Sequence, residues 1–245
     1  MKKQTETKNR DSSVWKVLTQ SVLLGVAVIS ANAAGGRCPP NIATSSIYFV
    51  PHLKDYCKTP TPCKDFKKEV RMQGSGTIPG NKLLTYNGKT MSLGDCDTAF
   101  GASGKCLIPF ISVAADARYY SMGDVIQMPG MKGKIIPLPN GKKMVHPGFF
   151  IVQDTGGAIR GKNRFDFFTG SFGVDDSRNV FGIQGAADTQ MADVNDCVER
   201  KQFTVVRRGS ANYEKSLLAI ENSLSKSTSG VVVATAKEST GGGVR

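Results

Sequence analysis

Two histidines, one tryptophan and no apolar run long enough to span a bilayer set the first limits on this 245-residue chain. Two histidines leave a multi-histidine metal centre short of ligands. The tryptophan, Trp15, stands near the N-terminus and adds nothing to a core if that end is removed. Long helical periodicity is also missing between about residues 64 and 208. What is present is enough for a globular domain: 40% apolar and 21% charged residues exclude global disorder. The length suits one domain, or one with a small second domain beside it.

The N-terminus reads as a targeting segment. Lys2, Lys3, Lys8, Arg10 and Lys16 precede a charge-free stretch from Val17 to Gly36, most apolar from Val22 to Ile29. Ala31-Asn32-Ala33 supplies the small-x-small pattern of a signal-peptidase site, so residues 1–33 are expected to be a cleaved signal peptide. The rival, a membrane anchor, needs roughly 20 apolar residues, and the purely apolar part is far shorter. Cys38 is a poor lipid-attachment cysteine, because Arg37 stands where a small residue is wanted. A periplasmic or secreted protein with no stable membrane anchor after cleavage is therefore expected.

Export changes how six cysteines read, since an oxidising compartment permits up to three disulfides. Cys57 with Cys63 and Cys96 with Cys106 are near enough to close small loops, which would leave Cys38 with Cys197. That is one pairing among 15, and free buried thiols are the alternative. The net charge of +12 falls to about +9 without residues 1–33. Lys64, Lys67, Lys68 and Arg71 form one basic run; Lys132, Lys134, Lys142 and Lys143 form another. In an exported protein, acidic wall polymer or a membrane surface suits this balance better than nucleic acid, and most of these lysines read as solvated surface.

Residues 34–63 read as an N-terminal extension. From 64 to 208, short apolar runs cut by Gly, Pro and Asn indicate strands: Cys106 to Val113, Val125 to Met128, Phe149 to Gln153 and Phe203 to Val206. Leu138-Pro139-Asn140-Gly141 carries a hairpin signal. An all-β barrel or sandwich fits best. Beyond it, Tyr213 to Ser225 has helical spacing, with Leu217, Ile220 and Leu224 on one face, and a flexible Ser/Gly-rich tail completes the 209–245 segment.

Several motifs fail. Gly156 to Asn163 nearly matches a phosphate-binding loop, but Asn163 replaces the Ser/Thr hydroxyl that magnesium needs. Asp95-Cys96-Asp97 opens like a calcium loop without its closing glutamate. A serine triad lacks both the nucleophile elbow and a histidine partner, since His146 before Pro147 reads as a turn residue. No metal or other cofactor is implied.

Three aspartates stand out. Asp116 follows Ile111 to Ala115. Asp154 follows Phe149 to Gln153 and opens Asp154-Thr155-Gly156-Gly157-Ala158-Ile159-Arg160-Gly161. Asp166 lies within Phe165-Asp166-Phe167-Phe168-Thr169-Gly170. An aspartate confined among phenylalanines loses solvation, which raises its pKa from about 3.9 and leaves a protonated fraction for general-acid work.

With Gln73-Gly74-Ser75-Gly76, Tyr86 and Gly88-Lys89 upstream, these segments resemble the MltA-type lytic transglycosylases and their three-aspartate (3D) signature, over about residues 71–206. The resemblance implies a mainly β fold: a six-stranded double-psi β-barrel over 64–208 that cleaves peptidoglycan glycan strands, with short flanking helices and the C-terminal tail. Two departures matter. Ser121 and Gly123-Asp124 occupy places where the family tends to have Pro and Gly-Thr, and the chain has no room for a full second domain, which implies a shallower groove.

The resemblance assigns Asp166 as the single acid/base. It protonates the glycosidic oxygen leaving N-acetylmuramic acid, then draws a proton from that sugar's 6-hydroxyl, which closes a 1,6-anhydro ring. Asp154 is the electrostatic or hydrogen-bonding partner. Gln73, Ser75, Tyr86 and Lys89 are candidates for holding the sugar, and Arg160 and Lys162 for meeting carboxylates. Thr155, Gly157 and Asp116 are placed with the binding residues, Asp116 mainly as a structural one. The expected partner is peptidoglycan, met by a monomer and with no nucleic acid. The competing readings are a non-catalytic wall-binding barrel and a glycoside hydrolase that uses Asp166 with Asp154.

Overall fold

The structure, a computed structural model, describes residues 38–229. The expected signal peptide over 1–33 and the tail beyond residue 229 lie outside the described residues. The order begins with β1 (Thr44–Tyr48), α1 (Leu53–Tyr56) and α2 (Lys64–Gln73), then β2 (Ser75–Ile78), β3 (Lys82–Thr85) and β4 (Thr90–Ser92). It continues through β5 (Ser112–Ala115), β6 (Val125–Gln127), β7 (Ile135–Pro137), β8 (Lys142–Val145), β9 (Phe149–Asp154), β10 (Arg164–Phe168) and β11 (Thr204–Val206). Last come α3 (Tyr213–Ser225) and the short β12 (Thr228–Ser229).

Three sheets result. The largest has six strands in the order β1-β10-β5-β9-β6-β11, with β1–β10 and β5–β9 parallel. β2, β3 and β4 form an antiparallel meander, and β12, β8 and β7 form a second small sheet. The Leu138–Gly141 turn joins β7 to β8 as expected, with Gly141 at φ +81° and the Leu138 N–H donating to the Lys142 carbonyl at 2.8 Å. In α3, Ile220 is buried and Leu217 and Leu224 are half-buried. No helix among the described residues is long and apolar enough to cross a membrane.

Strand alternation sorts residues onto the two faces of the large sheet. Phe165 and Phe167 of β10, Val113 and Ala115 of β5, and Phe150 and Val152 of β9 enter the main core. Phe168 goes to the other face, into a smaller core with Val50, Leu83, Leu93, Cys96, Ala99 and Leu107 beneath the β2–β4 meander. On α2, Phe66 and Val70 are buried while Lys64, Lys67, Lys68 and Arg71 are exposed, so this basic run is the solvated side of an amphipathic helix. Of the second run, Lys134 pairs with Asp188 at 2.5 Å.

Two expectations change here. The strand pairing draws an open six-stranded ladder with two small sheets beside it, and no closed barrel is found among the described residues. The segments just before the edge strands do meet, through an Ile42–Gln202 bridge, and the Phe203 N–H donates to the Asn41 carbonyl at 3.0 Å. The boundary at residue 64 also moves, because β1 comes from the stretch set apart as an extension. Parallel pairing requires a long crossover, so no local signal announces it.

Three disulfides join Cys38–Cys197, Cys57–Cys63 and Cys96–Cys106. The first ties the entry to β1 to the segment before β11, across 159 residues. His146 is buried; its Nδ1 accepts from the Gly148 N–H at 3.0 Å and its Nε2 meets the Phe110 carbonyl at 2.9 Å. That pattern fixes a neutral ring with the proton on Nε2. Burial pulls its pKa down to about 4.

Candidate active site

One transverse row of the large sheet carries the chemistry. Ser46 on β1 stands opposite Asp166 on β10, Asp166 opposite Ala114 on β5, and Ala114 opposite Asp154 on β9. The last pairing exists because the register shifts between Val113 and Ala114, which skips Gln153. Without this bulge Gln153 would oppose Ala114, and Asp154 would sit one position further on. The Ser112 hydroxyl donates to the skipped Gln153 side chain and holds it. In the row, Ala114 of β5 separates the two aspartates.

Asp166 is half-buried. The Ser46 hydroxyl donates to its Oδ1 at 2.6 Å, and the Arg164 guanidinium donates to Ser46 Oγ at 2.5 Å. Burial raises the Asp166 pKa and the negative charge of Asp154 adds to the rise, while the Ser46 hydrogen bond and the Arg164 charge oppose it. The direction and its main cause, loss of solvation, match the sequence reading, but the groups that bury the carboxyl differ. Phe165 and Phe167 point to the opposite face, so the same-face neighbours on β10 are Arg164 and Phe168. Tyr48, whose ring centroid lies 5.2 Å from that of Phe168, flanks the site from β1.

Asp154 is gripped from three sides. The Tyr48 hydroxyl donates to its Oδ2 at 3.0 Å. Its Oδ1 accepts from the backbone N–H of Ala102 at 3.0 Å and of Thr155 at 2.9 Å. Ala102 belongs to the loop closed by Cys96–Cys106, which packs so closely that a Cβ on Gly101 would come within 2.2 Å of the Gln153 carbonyl oxygen. Tyr48 lies between the carboxylates: burial, then Asp154 and Asp166, raise its phenol pKa well above the ordinary value. It therefore stays a donor at neutral pH.

Asp116 is fully buried and committed to the fold. Its carboxylate takes Arg118 Nη2 at 2.6 Å and the Gly161 N–H at 2.8 Å, which pins the end of the 154–161 loop to the end of β5. The Arg118 guanidinium, above all, pulls its pKa down. The Asp116 side chain is closed to solvent and its hydrogen bonds run to Arg118 and Gly161. Asn163, which broke the phosphate-loop pattern, is buried and its amide donates to the Cys38 carbonyl at 2.8 Å and the Ile42 carbonyl at 3.1 Å.

The other candidates scatter. Thr155, Gly157, Arg160 and Lys162 are exposed along the loop from β9 to β10. Lys162 Nζ stands 5.5 Å from the centre of the Tyr119 ring. Gln73, Ser75, Tyr86 and Lys89 belong to the smaller lobe of α2 and the meander. The Gln73 side-chain carbonyl accepts from the Phe49 N–H at 3.3 Å, next to Tyr48 in sequence, and Tyr86 is 65% exposed. Sequence reasoning missed Ser46, Tyr48, Arg164 and the 96–106 loop. The loop alone had a signal, its two flanking cysteines.

Residues 111–189 match the family model of the 3D domain, and this segment holds all three aspartates. The chain is similar in structure to MltA from Escherichia coli, described as having a unique lytic transglycosylase fold: identity is 20% over 48% of this chain and 27% of that one, with a TM-score of 0.22. A second structure, MltA from E. coli with bound chitohexaose, is 17% identical over 53% of this chain and 65% of that one, with a TM-score of 0.33. A third, of E. coli MltA, is 26% identical over 34% and 23%, with a TM-score of 0.22. The chain thus spans less than two thirds of each of those chains. No curated protein matches it.

Proposed function

We propose that the chain is an exported lytic transglycosylase acting on peptidoglycan, with Asp166 as the single general acid and base. The observation that carries this reading is the half-buried Asp166 with its raised pKa, in one row with Asp154 across the intervening strand β5 and within the 3D segment. In its protonated form, which the raised pKa favours, the carboxyl donates to the leaving glycosidic oxygen; the resulting carboxylate accepts the proton of the attacking 6-hydroxyl. Asp154 stabilises positive character at the oxocarbenium-like stage. The glycan strand is the partner in this reading.

A hydrolase is the second reading, favoured by two carboxyls on one row. It needs Asp154 to hold an attacking water or to act as nucleophile. Three donors already occupy Asp154. That engagement supports the role of a fixed anion.

The test is mass spectrometry of muropeptides released from purified peptidoglycan by the full chain and by Asp166→Asn. The unaltered protein should release anhydro-muropeptides, and the variant should lose activity by about 10²–10⁴-fold. Reducing, hydrated products would point to the hydrolase instead, and binding without release to a wall-binding module.

A further inference from the structure

Two concavities lie away from the aspartate row and include neither Asp166 nor Asp154 among their lining. They measure about 610 and 600 Å³, within the range of small-ligand sites, and share Asp55, Ser171 and Arg178 as lining. Arg178 is held before any ligand arrives. Its Nε and Nη2 donate to Asp176 at 3.0 and 2.7 Å, and its guanidinium lies 4.6 Å from the centre of the Phe172 ring. The loop beneath is locked by buried Asn179, whose amide donates to the carbonyls of Phe172 and Gly173 at 3.1 and 2.8 Å.

This arrangement occupies one edge and one face of the guanidinium and leaves the edge with Nη1 for a carboxylate, the geometry that arginine serves best. Around it the first cavity adds Lys54 and the carboxylates of Asp55, Asp95 and Asp97, so both signs are offered to one ligand. A neutral oligosaccharide would use these groups only as hydrogen-bond partners for its hydroxyls and would leave their charges unmatched. A short peptide carrying both carboxylates and an ammonium group matches them. Ser171 follows Asp166 by five residues, which limits their separation to about 18 Å, within reach of a peptide branching from a bound glycan.

We propose that the paired cavities bind the zwitterionic stem peptide of peptidoglycan, with Arg178 taking one of its carboxylates; this rests on the peptidoglycan reading above. The test is calorimetric titration of a free stem tetrapeptide containing a diamino acid into the full chain carrying Asp166→Asn, where no turnover interferes. Saturable binding is expected, weakened at least tenfold by adding Arg178→Ala and less by Arg178→Lys, which keeps the charge but loses the fork. Absence of binding, or equal affinity in the Arg178→Ala protein, overturns the proposal. Glycan release is scored separately on the unaltered chain. Arg178-dependent peptide binding without any glycan cleavage would remove the catalytic reading and keep this site, whereas cleavage without peptide binding would do the reverse.

Discussion

Ser46 and Asp154 act on Asp166 in opposite directions, one by donating a hydrogen bond and the other by its negative charge. Removing the hydroxyl removes a group that favours the carboxylate, so Ser46→Ala is expected to raise the Asp166 pKa further. An acid that must begin its cycle protonated then works to higher pH. The limb of the kcat/KM profile that falls with rising pH should move upward in Ser46→Ala, and an unmoved limb would count against the Ser46–Asp166 contact. The same signs govern stability. Because its folded pKa lies above the unfolded one, Asp166 costs stability once the pH has risen past the unfolded value. Asp166→Asn, whose amide oxygen still accepts from Ser46, should be at least as resistant to urea as the parent at pH 7.

The elements around the site explain why these residues can be so close. Bulge, loop and parallel pair each contribute one constraint: the skipped Gln153 sets Asp154 in the row, the Cys96–Cys106 loop supplies the Ala102 N–H, and β1 delivers Ser46 and Tyr48. Gly101 is the tightest point. A methyl there meets a backbone oxygen that cannot rotate away, so Gly101→Ala forces the loop off β9. We expect a loss of about 1–3 kcal/mol in urea denaturation, the usual range for overpacking. The Ala102–Asp154 hydrogen bond is expected to go with it, and glycan release should fall by more than the unfolded fraction accounts for.

At the scale of the molecule, the Cys38–Cys197 bridge and buried His146 hold distant parts together. The bridge closes nearly the whole described chain into a loop, a constraint typically worth about 2–5 kcal/mol in total stability. His146 couples stability to pH. Its folded pKa is about 4 against an ordinary 6.5, so the unfolded chain binds the extra proton between those values. Stability is full above about pH 6.5 and falls, by on the order of 3 kcal/mol, as pH drops to 4. His52 is shifted the same way by burial, and Asp166 the opposite way. Urea midpoints between pH 4 and 7 for the parent and His146→Gln isolate the effect: the variant, though weaker, should show the flatter slope.

What could be read from sequence was local. The Asn140-Gly141 turn, the helix from Tyr213 to Ser225 and the strand settings of Asp154 and Asp166 are all encoded by neighbours within a few residues, through φ preference and apolar spacing. The direction of the Asp166 pKa shift was legible for the same reason, although strand alternation turns Phe165 and Phe167 away from it. Which strands lie side by side was decided only by tertiary structure. Ser46 meets Asp166 across 120 residues, and Ala102 meets Asp154 across 52. No short-range pattern specifies such partners. They follow from burying Phe165, Phe167 and Val113 on one face and Phe168 and Leu107 on the other, an arrangement whose energy belongs to the whole core.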